Sequence, residues 1–257
     1  MSQPYYMIDF SATMCTFEIR INDYPVLDME VDGQVSTLVP VNFAILETGI
    51  QKILATIRPL SKHKILAPTT NLNFDIKLFD VTHDFVFEKQ FGAYQLPPIT
   101  SSVKLPVVRY ASSFSAEVPY VLKAWQNGID LNEMKDLSQK LFSAYQNLSN
   151  LLKAKNYTEF TRRLARRENN MAVALYLSPA EKKARLNGLI RDAQNGFDVM
   201  PVAKDSIVRL YGDGKVAALK KINGDSALFL YNEEKNEELM IDVGFYMAAG
   251  KSEWEVI

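Results

Sequence analysis

Ser206-Ile207-Val208-Arg209-Leu210-Tyr211-Gly212-Asp213-Gly214-Lys215-Val216-Ala217-Ala218-Leu219-Lys220-Lys221-Ile222-Asn223-Gly224-Asp225 opens the stretch whose reading decides the fold, which runs on to Ile257. Short apolar runs alternate here with Asp-Gly and Asn-Gly pairs, the strongest local signal for hairpins. The stretch reads as one antiparallel sheet of three strands. The first is Ile207–Tyr211, continuing after Gly212-Asp213-Gly214 into Lys215–Ile222. The second is Ala227–Tyr231, entered through Asn223-Gly224-Asp225. The third is Leu239–Met247, turned by Gly250-Lys251 into Trp254–Ile257.

Such a sheet needs a cover, and the preceding residues supply one at helical spacing. Met134, Leu137, Leu141, Tyr145, Leu148 and Leu152 fall on one helical face, with Asp130-Leu131-Asn132-Glu133 expected as its N-cap and capping box and an end near Ala154. Asn156 and Thr158 are the next candidate caps, before a helix reaching about Tyr176 with Phe160, Leu164 and Met171 on its apolar side. Ser178-Pro179-Ala180-Glu181 starts a third, with proline where its missing N–H costs nothing, Leu186, Leu189 and Ile190 facing inward, and Asn195-Gly196 as its end.

Before residue 116 the period is two. Phe17, Ile19 and Ile21 alternate with Glu18 and Arg20; Asn22-Asp23-Tyr24-Pro25 is a turn; Val26–Val31 follows; Asp32-Gly33 reads as a second hairpin turn from which Gln34–Val41 returns. Ile50–Leu60, Leu72–Leu78, Phe85–Phe91 and Leu105–Phe114 complete seven or eight short strands, the pattern of an antiparallel sandwich. Phe43, Leu46, Ile50 and Leu54 would also suit a short helix. The expected class is α+β: a β-sandwich domain at 1–115, a linker at 116–130 with Trp125 as an interdomain packing residue, and an α+β domain at 131–257.

At 257 residues two domains are the default, and 47% hydrophobic residues suffice for real cores. A net charge of −1 gives no global pull toward nucleic acid or an anionic membrane, and no apolar run is long enough to span one. Cys15 is the one cysteine, so no internal disulfide forms. The start of the chain lacks the basic and apolar regions of a signal peptide, so a cytoplasmic protein is expected.

Chemistry-bearing motifs are sparse. His63 and His83 sit in separate polar loops with no cysteine or second histidine at ligand spacing, so no metal site is expected. There is no nucleophile elbow and no phosphate-binding glycine loop, so no catalytic residues and no cofactor are assigned. Two charge blocks stand out. Between Asp9 and Glu47 seven acids face the single base Arg20; between Lys153 and Arg191 ten bases face three acids. The plain reading of each is a solvated face, and the sharper one is a field that steers a charged partner or orients the domains. The basic block lacks the interleaved aromatics of a nucleic-acid stripe.

The helix Met134–Lys153, the start Asn156-Tyr157-Thr158-Glu159-Phe160, and the closing strands Leu239–Met247 and Lys251–Ile257 with Trp254 resemble the nuclear transport factor-like branch of the cystatin-like folds. That resemblance implies a cone formed by three helices and a bent sheet. Enzymes of this branch hold an Asp or His acid–base group in the cone; here no histidine follows residue 83, which leaves Asp242 or Tyr246 as pocket residues for an enzymatic or ligand-binding alternative. Other relatives are non-catalytic dimerisation modules. In whole-chain character, a sandwich joined to such a domain resembles two-domain bacterial immunity proteins of type VI secretion, Acinetobacter-like members included. The resemblance implies a non-enzymatic antitoxin that binds a cognate protein toxin and blocks its active site, without nucleic acid or membrane as partners and with a homodimer left open. The acidic region Asp23, Asp28, Glu30 and Asp32, with Tyr24 as an aromatic anchor, is then the first candidate surface for the toxin.

Overall fold

A computed structural model describes residues 2–257; Met1 lies outside them. The chain divides into two compact units, Met1–Leu122 and Lys123–Ile257. The chain as a whole is α+β, with antiparallel β-structure in the first unit, then three helices followed by antiparallel sheets in the second.

The N-terminal unit is a single six-stranded antiparallel sheet of β1 (Pro4–Ile21), β2 (Tyr24–Pro40), β3 (Gly49–Arg58), β4 (Asn71–Asp80), β5 (Val86–Gln95) and β6 (Val108–Ala116). Its axis is β1. One edge of β1 is paired with β2 along nearly its whole length; the other pairs with β4 over Pro4–Thr13 and with β3 over Thr16–Ile21. The ladder shifts register between Thr13 and Cys15, where Met14 takes a left-handed φ of 51°. One residue spent in a bulge inverts the alternation. Tyr6, Ile8, Phe10 and Ala12 are buried before it, and Cys15, Phe17, Ile19 and Ile21 after it.

The bulge also folds the strand. Phe10 and Phe17 would lie about 23 Å apart on a straight strand, yet their rings meet at 5.4 Å. The β4–β5 limb therefore lies face to face with the β3–β6 limb, and aromatic side chains join the layers: Tyr94 stacks on Tyr110 at 4.2 Å, Phe91 meets Phe114 at 5.6 Å, and Phe74 meets Tyr110 at 6.1 Å. β2 follows the bend. Asp32-Gly33, expected as a hairpin turn, is the matching irregularity in mid-strand, and Gln34–Pro40 continues β2 instead of returning. The same Asp-Gly pair that makes a turn also supplies a bulge, and Gly33 has φ 135°. Residues 42–44 form only a 3-10 turn and Gly49–Arg58 is strand, so the helical alternative there is not taken.

The second unit opens with Trp125, buried and lying against Gly212, where a Cβ would stand 2.5 Å from the indole Nε1. Residues 116–130 are thus built into the units: Leu122 N–H donates to Leu46 O at 2.7 Å and Ile129 N–H to Met247 O at 2.9 Å. The helices are α1 (Leu137–Lys153), α2 (Tyr157–Ala174) and α3 (Pro179–Gln194). α2 is capped by Asn156 and α3 by the full Ser178/Glu181 capping box with Pro179 at its first turn. Asp130 does not cap α1. Its carboxylate accepts from Asn132 N–H at 2.9 Å in a side-chain-closed turn, because Leu131 is pinned to Gly214 O at 2.8 Å and buried.

The remaining strands are β7 (Asp198–Val199), β8 (Ile207–Tyr211), β9 (Val216–Lys220), β10 (Phe229–Asn232), β11 (Glu237–Met240), β12 (Phe245–Tyr246) and β13 (Glu255–Val256). They form two sheets, β11-β10-β7 and β13-β12-β9-β8, where the sequence suggested one. Tyr145 of α1 accounts for the split. The pairing of Phe245 with Ala217 would next bring Val243 opposite Leu219. Between those two stands the fully buried Tyr145 hydroxyl, donating to Val243 O at 2.5 Å and accepting from Leu219 N–H at 3.1 Å. The chain leaves the ladder there and re-enters it at Phe245.

Two substitutions test these pivots. Gly33→Ala meets no steric neighbour, so its cost is conformational, on the order of 1–3 kcal/mol; it is read as a lower midpoint in far-UV circular dichroism, with Asp32→Ala as a control close to wild type. Tyr145→Phe strands a buried N–H and a buried C=O at a cost of about 1–3 kcal/mol. Both tryptophans, Trp125 and Trp254, belong to the second unit, so indole fluorescence reports that loss specifically.

Candidate protein-binding site

The outward face of the β1–β4–β5 limb carries an aromatic row set by strand register. Tyr5 on β1 is paired with Phe79 on β4, and Phe79 with Phe87 on β5. Phe85, from the turn between β4 and β5, closes over the row, edge-on to Tyr5 at 5.4 Å and 5.5 Å from Phe79. Packing among the rings does not cover them: Phe85 is 57% exposed, Val86 56% and Phe87 53%. Phe85 and Phe87, large apolar residues left in water on this one face, form a patch of the kind that marks an interaction site. Aromatics pre-ordered by one another lose little entropy on contact and serve as anchors.

Phe85 N–H donates to Asp84 Oδ1 at 2.8 Å, and the start of the turn that carries it is held by Asp80. The Asp80 carboxylate accepts from Thr82 N–H at 2.8 Å, Thr82 Oγ1 at 2.5 Å, Gln3 N–H at 3.2 Å and Ser2 Oγ at 3.2 Å. These bonds hold its pKa down at about 2, with the Thr82 hydroxyl as the largest cause. Beside the aromatic row on the same face lie Asp9, Lys77 and Asp75. Lys77 donates to Asp9, and burial raises the pKa of the Asp75 carboxyl. An aromatic centre bordered by charge is the usual arrangement of a protein-recognition patch.

The acidic residues named from the sequence gather on the other limb. Asp28 and Glu30 face outward from β2, cross-strand from Glu18 and Thr16. Glu30 accepts from Ser61 N–H at 3.2 Å and Ser61 Oγ at 3.0 Å, and Asp32 from Lys62 at 3.5 Å. Asp23, at the β1–β2 turn, is held by Arg20 at 2.8 Å, and the same guanidinium holds Glu18 at 2.7 Å. Tyr24 is half-buried, its ring edge-on to Phe43 at 6.3 Å. The structure thus brings the acids onto one ridge, tied into local bonds, and gives Tyr24 a packing role.

In the second unit five of the ten bases of the basic block are held in ion pairs. Arg162 and Arg163 bind Glu159, Arg166 binds Glu255 at 2.5 Å, and Arg167 and Arg185 converge on Glu168, a carboxylate only 3% exposed that ties α2 to α3. Of the two residues named for a catalytic cone, Asp242 is exposed and held by Lys220 at 2.9 Å. Tyr246 is buried, donates to Glu255 at 2.8 Å, and has its pKa raised chiefly by burial. Tyr145, Phe245 and Trp254 fill the space between helices and sheet, with ring separations of 5.1 and 6.2 Å.

His63 and His83 are exposed, and among the described residues no cluster of three or more His, Cys, Asp or Glu could hold a metal ion. Cys15 is buried and donates to Asn71 O at 3.7 Å; burial pushes its thiol up to about 11, away from nucleophilic use. A cleft of about 690 Å³ lies in the first unit, lined by Tyr6, Leu78, Glu88, Lys89, Phe91 and Glu117 among others. The Tyr6 hydroxyl in it is engaged by Glu117 N–H at 2.9 Å, and the Lys89 ammonium stands 4.7 Å over the Phe91 ring. Among the described residues no helix is long and apolar enough to cross a membrane. Compared with protein-family models, with curated proteins and with solved structures, the chain finds no match.

The Asp80 clamp makes the start of the β4–β5 turn acid-sensitive. A depressed folded-state pKa means that the contribution of the clamp is complete above the ordinary carboxylate value near 4 and is lost as pH falls through about 2. Amide exchange at Gln3 and Thr82 should accelerate over that window, and Asp80→Asn should show the accelerated exchange already at neutral pH.

Proposed function

We propose that this chain acts by binding another protein, and that it is an antitoxin: a cytoplasmic immunity protein that occupies the active site of a cognate toxin delivered by type VI secretion. The observation that carries the binding part is the row Tyr5, Phe79, Phe85 and Phe87 on the outer sheet face, with Phe85 and Phe87 exposed over the half-buried Tyr5 and Phe79. Several titratable groups offered by the sequence support it from the other side: Asp23, Asp32 and Asp242 are in ion pairs, Cys15 and Tyr246 are buried, and His63 and His83 lie in loops. The antitoxin part rests on the whole-chain likeness to two-domain immunity proteins. In this reading the C-terminal unit, with its likeness to nuclear transport factor-like folds, is a non-catalytic module, and the acidic ridge Asp23, Asp28, Glu30 and Asp32 lends charge for steering.

The test is protection of growth. The protein captured by the full chain from its source bacterium is expressed in a susceptible host alone, with the wild-type chain, and with the Phe85→Ser/Phe87→Ser double variant. The wild-type chain should restore growth. Each lost anchor removes about 2 kcal/mol, so the double variant should bind roughly 1,000-fold weaker and fail to protect. A captured protein that is harmless alone overturns the antitoxin reading, and full protection by the double variant overturns the assigned surface.

A further inference from the structure

β2 pairs with β1 alone, so its other edge is open. Exposed edges invite pairing, and proteins blunt them with charge, bulges or proline. The edge strand β5 carries Glu88 and Lys89 and a bulge at Gly92, and the edge strand β6 carries Arg109. The second half of β2, Gln34-Val35-Ser36-Thr37-Leu38-Val39-Pro40, has no charged residue at all. Gln34, Ser36, Thr37 and Leu38 are exposed, Leu38 by 41%.

The direction of its backbone groups follows from one bond. Val41 N–H donates to Tyr6 O at 2.9 Å. With a period of two, the N–H and C=O groups of Val39, Thr37 and Val35 point to β1, and those of Leu38, Ser36 and Gln34 point outward. Val35-Ser36-Thr37-Leu38-Val39 is also symmetric in character about Thr37, with a valine two residues to either side.

We propose that two copies of this chain pair antiparallel through β2, with Thr37 on the two-fold axis. Ser36 then exchanges both backbone hydrogen bonds with the second copy's Leu38, and the converse pair repeats this across the axis. Gln34 N–H donates to the second copy's Pro40 C=O, and Pro40, lacking an N–H, ends the ladder. Val35 meets the second copy's Val39 on one face, and Leu38 meets Ser36 on the other. Charge selects this partner and register: Asp32 falls opposite Asn42, beyond the end of β2, so the acids Asp28, Glu30 and Asp32 extend past the shared segment and meet no like charge. The two six-stranded sheets become one continuous sheet. The aromatic row and the acidic ridge lie outside the paired segment, so this pairing is independent of the toxin-binding reading.

Sedimentation velocity of the full chain across roughly 1 to 300 µM should show the 29.1 kDa species giving way to one of twice that mass. Ser36→Pro removes only an outward N–H and leaves the β1 ladder intact, so it should keep the wild-type circular dichroism and remain monomeric. A second measurement fixes the register. Opposed residues at a non-hydrogen-bonded pair stand about 4.5 Å apart at Cα, within disulfide reach, so Thr37→Cys should cross-link on mild oxidation. Gln34→Cys should not, its two copies being about 20 Å apart; Cys15 is fully buried and adds no background. A wild-type chain that stays monomeric over the whole range, a folded Ser36→Pro variant that associates like wild type, or equal cross-linking of the two cysteine variants overturns the proposal.

Discussion

A straight strand of eighteen residues would run about 60 Å, longer than a sheet of this size can cover on one face. β1 has that length and solves the problem by turning back on itself at Met14. Almost everything in the first unit follows from that bend. It exchanges which parity of residues faces inward, brings Phe10 onto Phe17, and separates the second edge of β1 into a segment for β4 and a segment for β3. The two limbs then cover each other with aromatic contacts, and a single sheet becomes its own second layer. The cost is a left-handed methionine and a β2 strand that must bend at Gly33. The gain is a rigid outer face on which Tyr5, Phe79 and Phe87 are held in line by register alone.

The second unit depends on a different insertion. Its sheet is interrupted where the Tyr145 hydroxyl replaces a direct bond between Leu219 and Val243. The helix α1 is thereby fastened into the sheet through a buried polar bridge as well as through Leu141, Leu148 and Leu152. The ion pairs around Glu168 and Glu255 engage bases of the block on α2 and α3. Five of the ten bases in that block are held in such pairs with Glu159, Glu168 or Glu255, while the block keeps its excess of positive charge.

The features legible in the sequence are the local ones. The Ser178 capping box, the Asn156 cap, the apolar face of α1 and the Asn223-Gly224-Asp225 turn need only neighbours in the chain. Errors arise where two local meanings compete or a distant residue intervenes. Asp32-Gly33 carries the same signal for a turn and for a bulge, and only the uninterrupted pairing of β2 with β1 distinguishes them. The alternation Tyr6, Ile8, Phe10, Ala12 is clear in itself, but it is out of phase with Phe17, Ile19, Ile21, and a strand reading begun at Phe17 overlooks it. Asp130 has the residues of a helix cap, yet the bond from Leu131 to Gly214 holds it in a turn. No local pattern announces that Tyr145 divides a sheet. For the candidate site, Phe85-Val86-Phe87 does carry a signal, since three large apolar residues in succession break strand alternation. The acid count of the region from Asp9 to Glu47 drew the reading to the other limb.

The central claim is that the first unit meets a protein partner through the aromatic row, and site-specific photo-cross-linking in cells of the source organism tests it without knowledge of the partner. A benzophenone side chain placed at Phe85 should join the chain to one other protein of defined mass, and the same group at Asp28 or Arg162 should give much less of that product. Absence of a product at Phe85, with a strong one at Asp28 or Arg162, would contradict the account and move the interface to the acidic ridge or to the second unit.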